Sequence, residues 1–171
     1  LDPNRSKQNS FVKLLRVLAN FKDARTGQEF GPVDSWGPNR CIAVSTLTGI
    51  NPIAMSLVIG NKPVRSQTDW GIAQGEIFKL ISRLCDCKCH FVLEAHVERQ
   101  IDQVFGGVKI MVATLGKALA PDIPPPFSDV ILAYREGPKF FWSTANSQAD
   151  LKARNLPIAD GIPQDFKVIF E

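Results

Sequence analysis

Apolar residues recur at three- and four-residue intervals in two segments of the chain. Residues 10–22 carry one such stripe, and Ser10 is a candidate N-cap at its start. Residues 67–84 carry the second stripe, with Thr68 or Asp69 as the residue that begins the helix. The periodicity therefore predicts two amphipathic helices that each bury one face.

Shorter apolar runs predict strands. Residues 40–44 and 89–95 have the composition of buried parallel strands, and they lead into Ser45 and His96. Three further strands are predicted over residues 128–135, 139–143 and 166–170, with a tight turn at Gly137-Pro138. Because helices and strands alternate in the first half, the predicted fold is α/β. It has a mostly parallel central sheet flanked by helices, with antiparallel strands at the C-terminal end.

The remaining segments are predicted to connect these elements. Residues 23–39 are polar and rich in Gly and Pro. Residues 97–110 are also polar and contain Gly106-Gly107, which is typical of a mobile loop. Residues 115–120 are predicted to form a short helical turn that ends at the following proline cluster.

The composition is that of an ordinary soluble globular protein. The 171 residues suit one domain, and the 44% hydrophobic content is enough for a core. No apolar run approaches the roughly 18–20 residues of a membrane span, so we expect no membrane association. The net charge of +3 permits nucleic-acid binding without requiring it. The first residue is Leu1 and not Met, which fits a fragment, a processed product or a trimmed chain. We expect a single domain over residues 1–171 that is incomplete at its N-terminus.

The four cysteines do not resemble a secreted disulfide framework, which favours a reducing, cytoplasmic location. Three of them, Cys85, Cys87 and Cys89, precede His90 in a cluster of soft ligands. Zinc sites usually combine two pairs spaced C-x₂₋₄-C, whereas here Cys41 alone could add a distant ligand. Buried thiols are therefore the preferred interpretation, no metal site is predicted, and a small zinc protein is the minor alternative.

Five sequence segments in a fixed order carry a family resemblance. They are Trp36–Gly49, Asp69-Trp70-Gly71, Phe91–His96, Leu115-Gly116-Lys117 and Leu151–Pro157. Together they resemble phage-encoded RecA-like ATPases, known as AAA-domain or Sak-type recombination proteins, over nearly the whole chain. The resemblance implies a RecA-like sandwich that binds ATP and Mg²⁺. It also implies a homo-oligomer with nucleotide at the subunit interfaces, which handles single-stranded DNA in recombination or annealing.

The phosphate-binding loop of that family has the form G-x-x-x-x-G-K-[ST], and this sequence contains none. Gly116-Lys117 is followed by Ala118, which is the wrong context. The resemblance therefore implies ATP hydrolysis only if such a loop precedes Leu1 in the natural protein. The alternative is a non-catalytic structural or DNA-binding module derived from such an ATPase.

The resemblance assigns the strand over residues 41–44 to the Walker B position, which usually ends in a magnesium-binding Asp. Here Ser45 stands at that position, and a neutral hydroxyl is a weak ligand for a hard dication. Thr46 and Thr48 are candidates to contact a metal-bound water. The alternative is that Ser45 and Thr46 only cap a turn after the strand.

The resemblance also supplies candidate catalytic residues. His96, at a strand end, corresponds to the sensor of the γ-phosphate, and Glu94 is a secondary candidate for orienting water or magnesium. Lys152 and Arg154 correspond to a Lys-x-Arg element that reaches a neighbouring subunit's nucleotide. On an extended strand the two cations would project to one side. The alternatives are an ordinary strand-end histidine and a solvated basic edge.

The predicted loop over residues 97–110 lies where RecA-like recombinases hold their DNA-contacting loops. Arg99, Lys109 and Lys117 are candidates to contact phosphates, and Phe105 is a candidate to stack on a base. A plain surface loop is the alternative, since the acidic residues in this segment dilute its positive charge.

Overall fold

A computed structural model of the chain describes residues 3–60, 65–101 and 106–170. Within those ranges the protein is mixed α/β, with four α-helices and several small sheets. The chain divides into two compact units. The first comprises Leu1–His96 with Ala113–Ala120, and the second comprises Val97–Val112 with Pro121–Glu171.

The first unit is built on three helices and a pair of parallel strands. Its helices are α1 (Pro3–Ala19), α2 (Leu47–Ile59) and α3 (Gln67–Cys85). Its strands are β1 (Phe21–Lys22), β2 (Glu29–Gly31), β3 (Cys41–Ser45) and β4 (His90–Glu94). Helix α2 packs against both α1 and α3. The core between them is apolar and consists mainly of Phe11, Leu18, Leu47, Ala54, Met55, Ile77, Ile81 and Leu84.

The second unit is built on antiparallel strands. They are β5 (Val97–Ile101), β6 (Val108–Val112), β7 (Leu132–Glu136), β8 (Lys139–Ser143) and β9 (Ile162–Pro163). Strands β5 and β6 form one hairpin, while β7, β8 and β9 form a three-stranded sheet in that order. A short helix, α4 (Lys167–Phe170), follows them. Trp142, Leu156 and Ile162 are buried in this unit.

Both predicted helices are present, with different starting residues. Helix α1 begins at Pro3, so Ser10 lies within it and is not its cap. Helix α3 is capped by Ser66 instead of Thr68 or Asp69. The Ser66 hydroxyl accepts from the amide of Asp69, and the Asp69 carboxylate accepts from the amide of Ser66, which is a capping box.

The sequence pattern did not predict α2. Gly49 and Pro52 both lie within its first two turns, and both residue types disfavour helix interiors. Burial of one face overrides these preferences, because Leu47, Ile50 and Ala54 are all buried. Thr46 caps the helix, since its hydroxyl accepts from the amide of Gly49 at 3.3 Å.

Parallel pairing is confirmed for one pair of strands and not for a whole sheet. Strands β3 and β4 run parallel, with Cys41 opposite His90 and Ser45 opposite Glu94. Every other paired strand in the described part of the chain is antiparallel. The expected mostly parallel central sheet is therefore corrected to one parallel pair beside small antiparallel sheets.

Two other predictions in the second unit are wrong. Residues 97–110 were expected to form a loop, but β5 and β6 pair across most of this segment, and β-branched residues stand at both ends of each strand. Residues 166–170 were expected to form a strand and instead form α4 after a turn, where the Asp165 carboxylate accepts from the amide of Lys167 at 3.0 Å. The hairpin of β7 and β8 with a turn at Gly137-Pro138 is confirmed.

None of the helices in the described ranges has the length and apolar character needed to cross a bilayer.

Candidate functional site

The ends of β3 and β4 bring polar side chains together at one edge of the first unit. Ser45 is the last residue of β3 and lies opposite Glu94, the last residue of β4. Residues directly opposite on paired strands project to the same face of the sheet. Both side chains are exposed. The predicted neighbourhood of the two parallel strand ends is therefore confirmed.

Helix α2 begins immediately after β3 and points its N-terminus at this edge. The Thr46 hydroxyl is occupied by its bond to the amide of Gly49. The amides of Leu47 and Thr48 belong to the first turn, where N–H groups have no acceptor within the helix. These N–H groups carry the partial positive charge of the helix dipole, which attracts anions.

His96 joins this helix end to the end of β4. Its Nδ1 atom lies 3.0 Å from the Thr48 hydroxyl oxygen, which is hydrogen-bonding distance. The His96 carbonyl accepts from the amide of Ala113 at 2.8 Å, which fixes the backbone that carries the ring. Both side chains are exposed. An imidazole, a hydroxyl and unpaired helix amides thus share one solvent-accessible edge.

We use the name β3–β4 edge for Ser45, Thr46, Thr48, Glu94 and His96. Glu94 supplies the carboxylate of this set, and the others supply hydroxyl groups or an imidazole. Magnesium is usually held by one or two carboxylates together with substrate phosphates. The β3–β4 edge therefore fits magnesium only when a phosphate-bearing ligand completes the coordination, with Glu94 and Ser45 as the groups that would hold the ion or its water.

The two cations of the Lys-x-Arg element, both in the second unit, have different surroundings. The Lys152 ammonium donates to the carbonyls of Pro125 and Phe127, at 2.9 and 2.8 Å. The Arg154 guanidinium makes no hydrogen bond or ion pair with any other residue that the structure describes. Lys152 is thus held by the backbone of its own unit, whereas Arg154 is available to an external anion.

The backbone around Arg154 is fixed by one carboxylate. Asp129 accepts from the amides of Arg154 and Asn155 at 2.7 and 2.9 Å, and from the Asn155 side chain at 2.6 Å. Lys152 forms an isolated bridge with Val130, and Arg154 lies in a bend. The expected arrangement of both cations on one extended strand is therefore wrong, since the chain turns between them. No sequence pattern indicated the role of Asp129.

Two of the candidate nucleic-acid residues, Arg99 and Lys109, lie on the hairpin of β5 and β6 and do not share a face. Arg99 on β5 lies opposite Ile110, and Lys109 on β6 lies opposite Gln100. Neighbouring pairs in a hairpin project to opposite faces, so Arg99 and Lys109 point to opposite sides. The Lys109 ammonium also forms an ion pair with Asp150 at 2.9 Å.

The other two candidates of that group are Lys117 and Phe105. Lys117 belongs to the first unit, where it begins a short 3₁₀-helix, and it is exposed. Phe105 falls outside the described residues. Of the four candidates, the structure compares Arg99 with Lys109, and these two do not share a face.

The cysteine cluster spans the junction between α3 and β4. Burial raises the pKa of the Cys85 thiol and that of the Cys87 thiol to about 11. Across the described ranges, no three His, Cys, Asp or Glu side chains come together in a way that could hold a metal ion. Cys89 is buried as expected, Cys85 and Cys87 are half-buried, and Cys41 is exposed.

An ion pair between Arg83 on α3 and Asp34, in the segment after β2, was not predicted either. The Arg83 guanidinium contacts both carboxylate oxygens of Asp34, at 3.0 and 2.5 Å. The Cys87 thiol donates to the same carboxylate at 3.6 Å. The hydrogen bond from Arg83 lowers the pKa of Asp34 below its ordinary value. A separation of 49 residues hides such a pair from any local pattern.

The β3–β4 edge is the densest set of convergent polar groups described above. It combines helix amides, an imidazole, hydroxyl groups and one carboxylate, which together suit a phosphate-bearing ligand. Its assignment depends on this chemistry alone. Comparisons of the chain with protein-family models, with curated proteins and with solved structures found no match.

Proposed function

We propose that this chain is a RecA-like nucleotide-binding core that binds ATP at the β3–β4 edge and acts in phage DNA recombination or single-strand annealing. The observation that carries the proposal is the 3.0 Å contact between Thr48 and His96. This contact brings the end of β4 to the N-terminus of α2, the helix that follows the neighbouring strand β3. Ligands of open α/β sheets bind at such strand ends.

Each residue of the edge has a defined part in this proposal. The amides of Leu47 and Thr48 and the imidazole of His96 donate to phosphate oxygens, with His96 placed to sense the terminal phosphate. Glu94 and Ser45 hold magnesium or its water when nucleotide is bound. Catalysis of this kind depends on positioning and on neutralising charge at the transferred phosphate.

The proposal further places the chain in a homo-oligomer with nucleotide at the subunit interfaces. Arg154 supports this part because its guanidinium is unpaired among the described residues and its backbone is held by Asp129. Such a cation can approach a nucleotide bound to a neighbouring copy, where it neutralises charge on the γ-phosphate. Lys152 could contact the same γ-phosphate only if its ammonium gave up its two carbonyl acceptors.

A second candidate function is a non-catalytic structural or DNA-binding module of the same ancestry. Three observations favour it: Ser45 at the position of the metal-binding Asp, the absence of a G-x-x-x-x-G-K-[ST] motif from this sequence, and the anchoring of Lys152 to carbonyls. In this version the β3–β4 edge would be a structural junction without a ligand.

Calorimetric titration of the chain with ATP, with and without Mg²⁺, separates the two candidates. The variants Thr48→Val and His96→Asn should each weaken ATP binding roughly tenfold, because the first removes the hydroxyl that contacts His96 and the second removes the Nε2 donor, and a hydrogen bond to a charged oxygen contributes about 1.5 kcal/mol. Thr68→Val is a matched control, because Thr68 occupies the same second position of α3 that Thr48 occupies in α2. His90→Asn is the matched control for the histidine.

The outcome decides between the candidates directly. Binding that is weakened by the two edge variants and spared by their controls supports the nucleotide site. ATP turnover that is lost in Lys152→Ala would exclude the non-catalytic module. A chain that binds no ATP under any of these conditions contradicts the proposal and leaves the second candidate.

A further inference from the structure

The sheet of β7, β8 and β9 exposes an aromatic side chain on one of its faces. Phe140 on β8 is 61% exposed, whereas its neighbour Phe141 points to the opposite face. There the Phe141 ring packs on Tyr134, with ring centroids 5.9 Å apart, and the Tyr134 hydroxyl accepts from the amide of Gly161. The Phe141 ring is thus packed against its own chain, whereas the Phe140 ring is open to solvent.

An unpaired cation lies beside Phe140. Arg135 on β7 is directly opposite Phe140 in the hairpin register, so the two side chains project to the same face. Arg135 is exposed and makes no hydrogen bond or ion pair with another residue in the described ranges. A free guanidinium next to an exposed phenyl ring is a pair of groups that an anionic, ring-bearing ligand can use together.

The same face continues into a second aromatic group. Trp142 follows Phe140 two positions along β8, so it shares that face at a spacing of about 7 Å. The Phe166 ring packs edge-on against Trp142, with centroids 5.2 Å apart, and 48% of Phe166 remains exposed. Lys167, which is also exposed, comes directly after Phe166. Trp142 itself is buried, so we use the name aromatic face for the exposed residues Arg135, Phe140 and Phe166.

We propose that the aromatic face binds single-stranded DNA, with one base stacked on Phe140 and a phosphate paired with Arg135. Alternation of exposed rings with cations is the chemistry of single-strand binding surfaces, because every base offers a π face and every nucleotide a negative charge. The inference deepens the DNA-handling part of the proposed function and rests on that part alone. It assigns DNA to a surface other than the β5–β6 hairpin, where Lys109 is already paired with Asp150.

The charge of Arg135 favours single-stranded DNA over an apolar protein as the ligand of this surface. Arg135 flanks Phe140 on the same face, whereas Lys139 projects to the other face, directly opposite Glu136. Burial of an unpaired guanidinium against an apolar protein surface would cost free energy, whereas a phosphate compensates its charge. A strand of nucleotides satisfies the ring and the cation at once.

Fluorescence anisotropy with a labelled oligothymidylate tests the assignment, because oligothymidylate has little secondary structure of its own. Phe140→Leu should weaken binding about tenfold, since it keeps apolar surface but loses base stacking. Phe140→Trp should restore most of the affinity. Phe78→Ala on α3, another exposed phenylalanine, is the control and should leave binding unchanged.

The salt dependence gives a second, independent readout for the cation. Arg135→Gln should weaken binding and lower the slope of log K against log salt by about 0.7, the value for one phosphate contact on a single strand. Arg16→Gln, an exposed arginine on α1, should leave the slope unchanged. Both readouts measure binding, and a folding defect would also weaken binding. Circular dichroism of the same samples identifies any variant that is misfolded.

Three results would overturn the inference: no binding of oligothymidylate by the parent chain, equal affinity of Phe140→Leu and the parent, or tighter binding of oligouridylate than of oligothymidylate. Loss of self-association in Phe140→Leu with unchanged DNA affinity would likewise assign the face to a second copy of the chain. Nucleotide titrations on the same variants keep the two proposals separate, since a failure of ATP binding leaves these DNA measurements untouched.

Discussion

The imidazole of His96 and the hydroxyl of Thr48 lie 3.0 Å apart, although 48 residues separate them in the chain. The contact ties the end of β4 to the first turn of α2. The hydrogen bond therefore links β4 and α2, which are far apart in the sequence but meet at the same edge of the first unit.

A double-mutant cycle should detect this contact as coupling between the two positions. Thr48→Val and His96→Leu are each expected to destabilise the chain slightly, and the coupling between them should be roughly 0.5–1 kcal/mol in urea denaturation. A cycle between Thr68 and His90 is the control and should show none. Additive effects of Thr48→Val and His96→Leu would mean that the hydrogen bond does not persist in solution.

Lys152 and Arg154 should differ in their effects on stability. Lys152→Met removes two hydrogen bonds to carbonyls and should lower the free energy of unfolding by about 1 kcal/mol. Arg154→Met removes no bond within the described part of the chain and should change it by less than about 0.5 kcal/mol. Thermal denaturation of both variants measures the difference. Equal destabilisation by the two substitutions would contradict the assigned roles.

Asp129 should control the order of the segment that carries Arg154. Asp129→Ala removes the acceptor of three hydrogen bonds, so the amides of Arg154 and Asn155 should exchange hydrogen faster. Asp129→Asn keeps one acceptor oxygen and should give an intermediate rate. Asp122→Ala, at an exposed position, is the control. Unchanged exchange at both amides in Asp129→Ala would show that the carboxylate does not hold this segment.

The pair of Asp34 and Arg83 predicts a dependence of stability on pH. The hydrogen bond from Arg83 lowers the pKa of Asp34 in the folded chain below its ordinary value of 3.8. A lowered folded-state pKa contributes stability above the ordinary value, and that contribution is lost as pH falls through the folded-state pKa.

Substitution of Arg83 tests this sign. Arg83→Gln should destabilise the chain near neutral pH by no more than about 1 kcal/mol, because both side chains are partly exposed. The difference from the parent should vanish in acid, below the folded-state pKa of Asp34. Lys79→Gln, which breaks the exposed pair with Glu76 on the same helix, is the control. A difference that grows as pH falls would contradict the sign.

Local hydrophobic periodicity was sufficient to predict the helices and strands whose side chains show a regular apolar pattern. The stripe on α3, the runs of β3 and β4 and the hairpin of β7 and β8 were all placed to within a few residues. Helix α2 was missed because Gly49 and Pro52 disfavour helices and because its residues are apolar on most sides, so they show no stripe; burial against α1 and α3 explains the helix. Residues 166–170 show the opposite error, since a short apolar run fits a strand and a helix equally well.

The site was predictable in part for a related reason. Ser45 and His96 could be placed at strand ends from the sequence, and parallel strands bring such ends together. The contact with Thr48 could not be predicted, because it needs the N-terminus of a helix that the pattern did not reveal. The different surroundings of Lys152 and Arg154 could not be predicted either. They depend on carbonyls and on a carboxylate more than 20 residues away in the sequence.

Nuclear magnetic resonance of the two histidine rings tests the central claim most directly, because the sequence contains only His90 and His96. Titration of the chain with ATP and Mg²⁺ should shift the ring resonances of His96 in a saturable way and leave those of His90 nearly unchanged. The shift should be much weaker in Thr48→Val. Resonances of His96 that stay constant throughout the titration would contradict a nucleotide site at the β3–β4 edge.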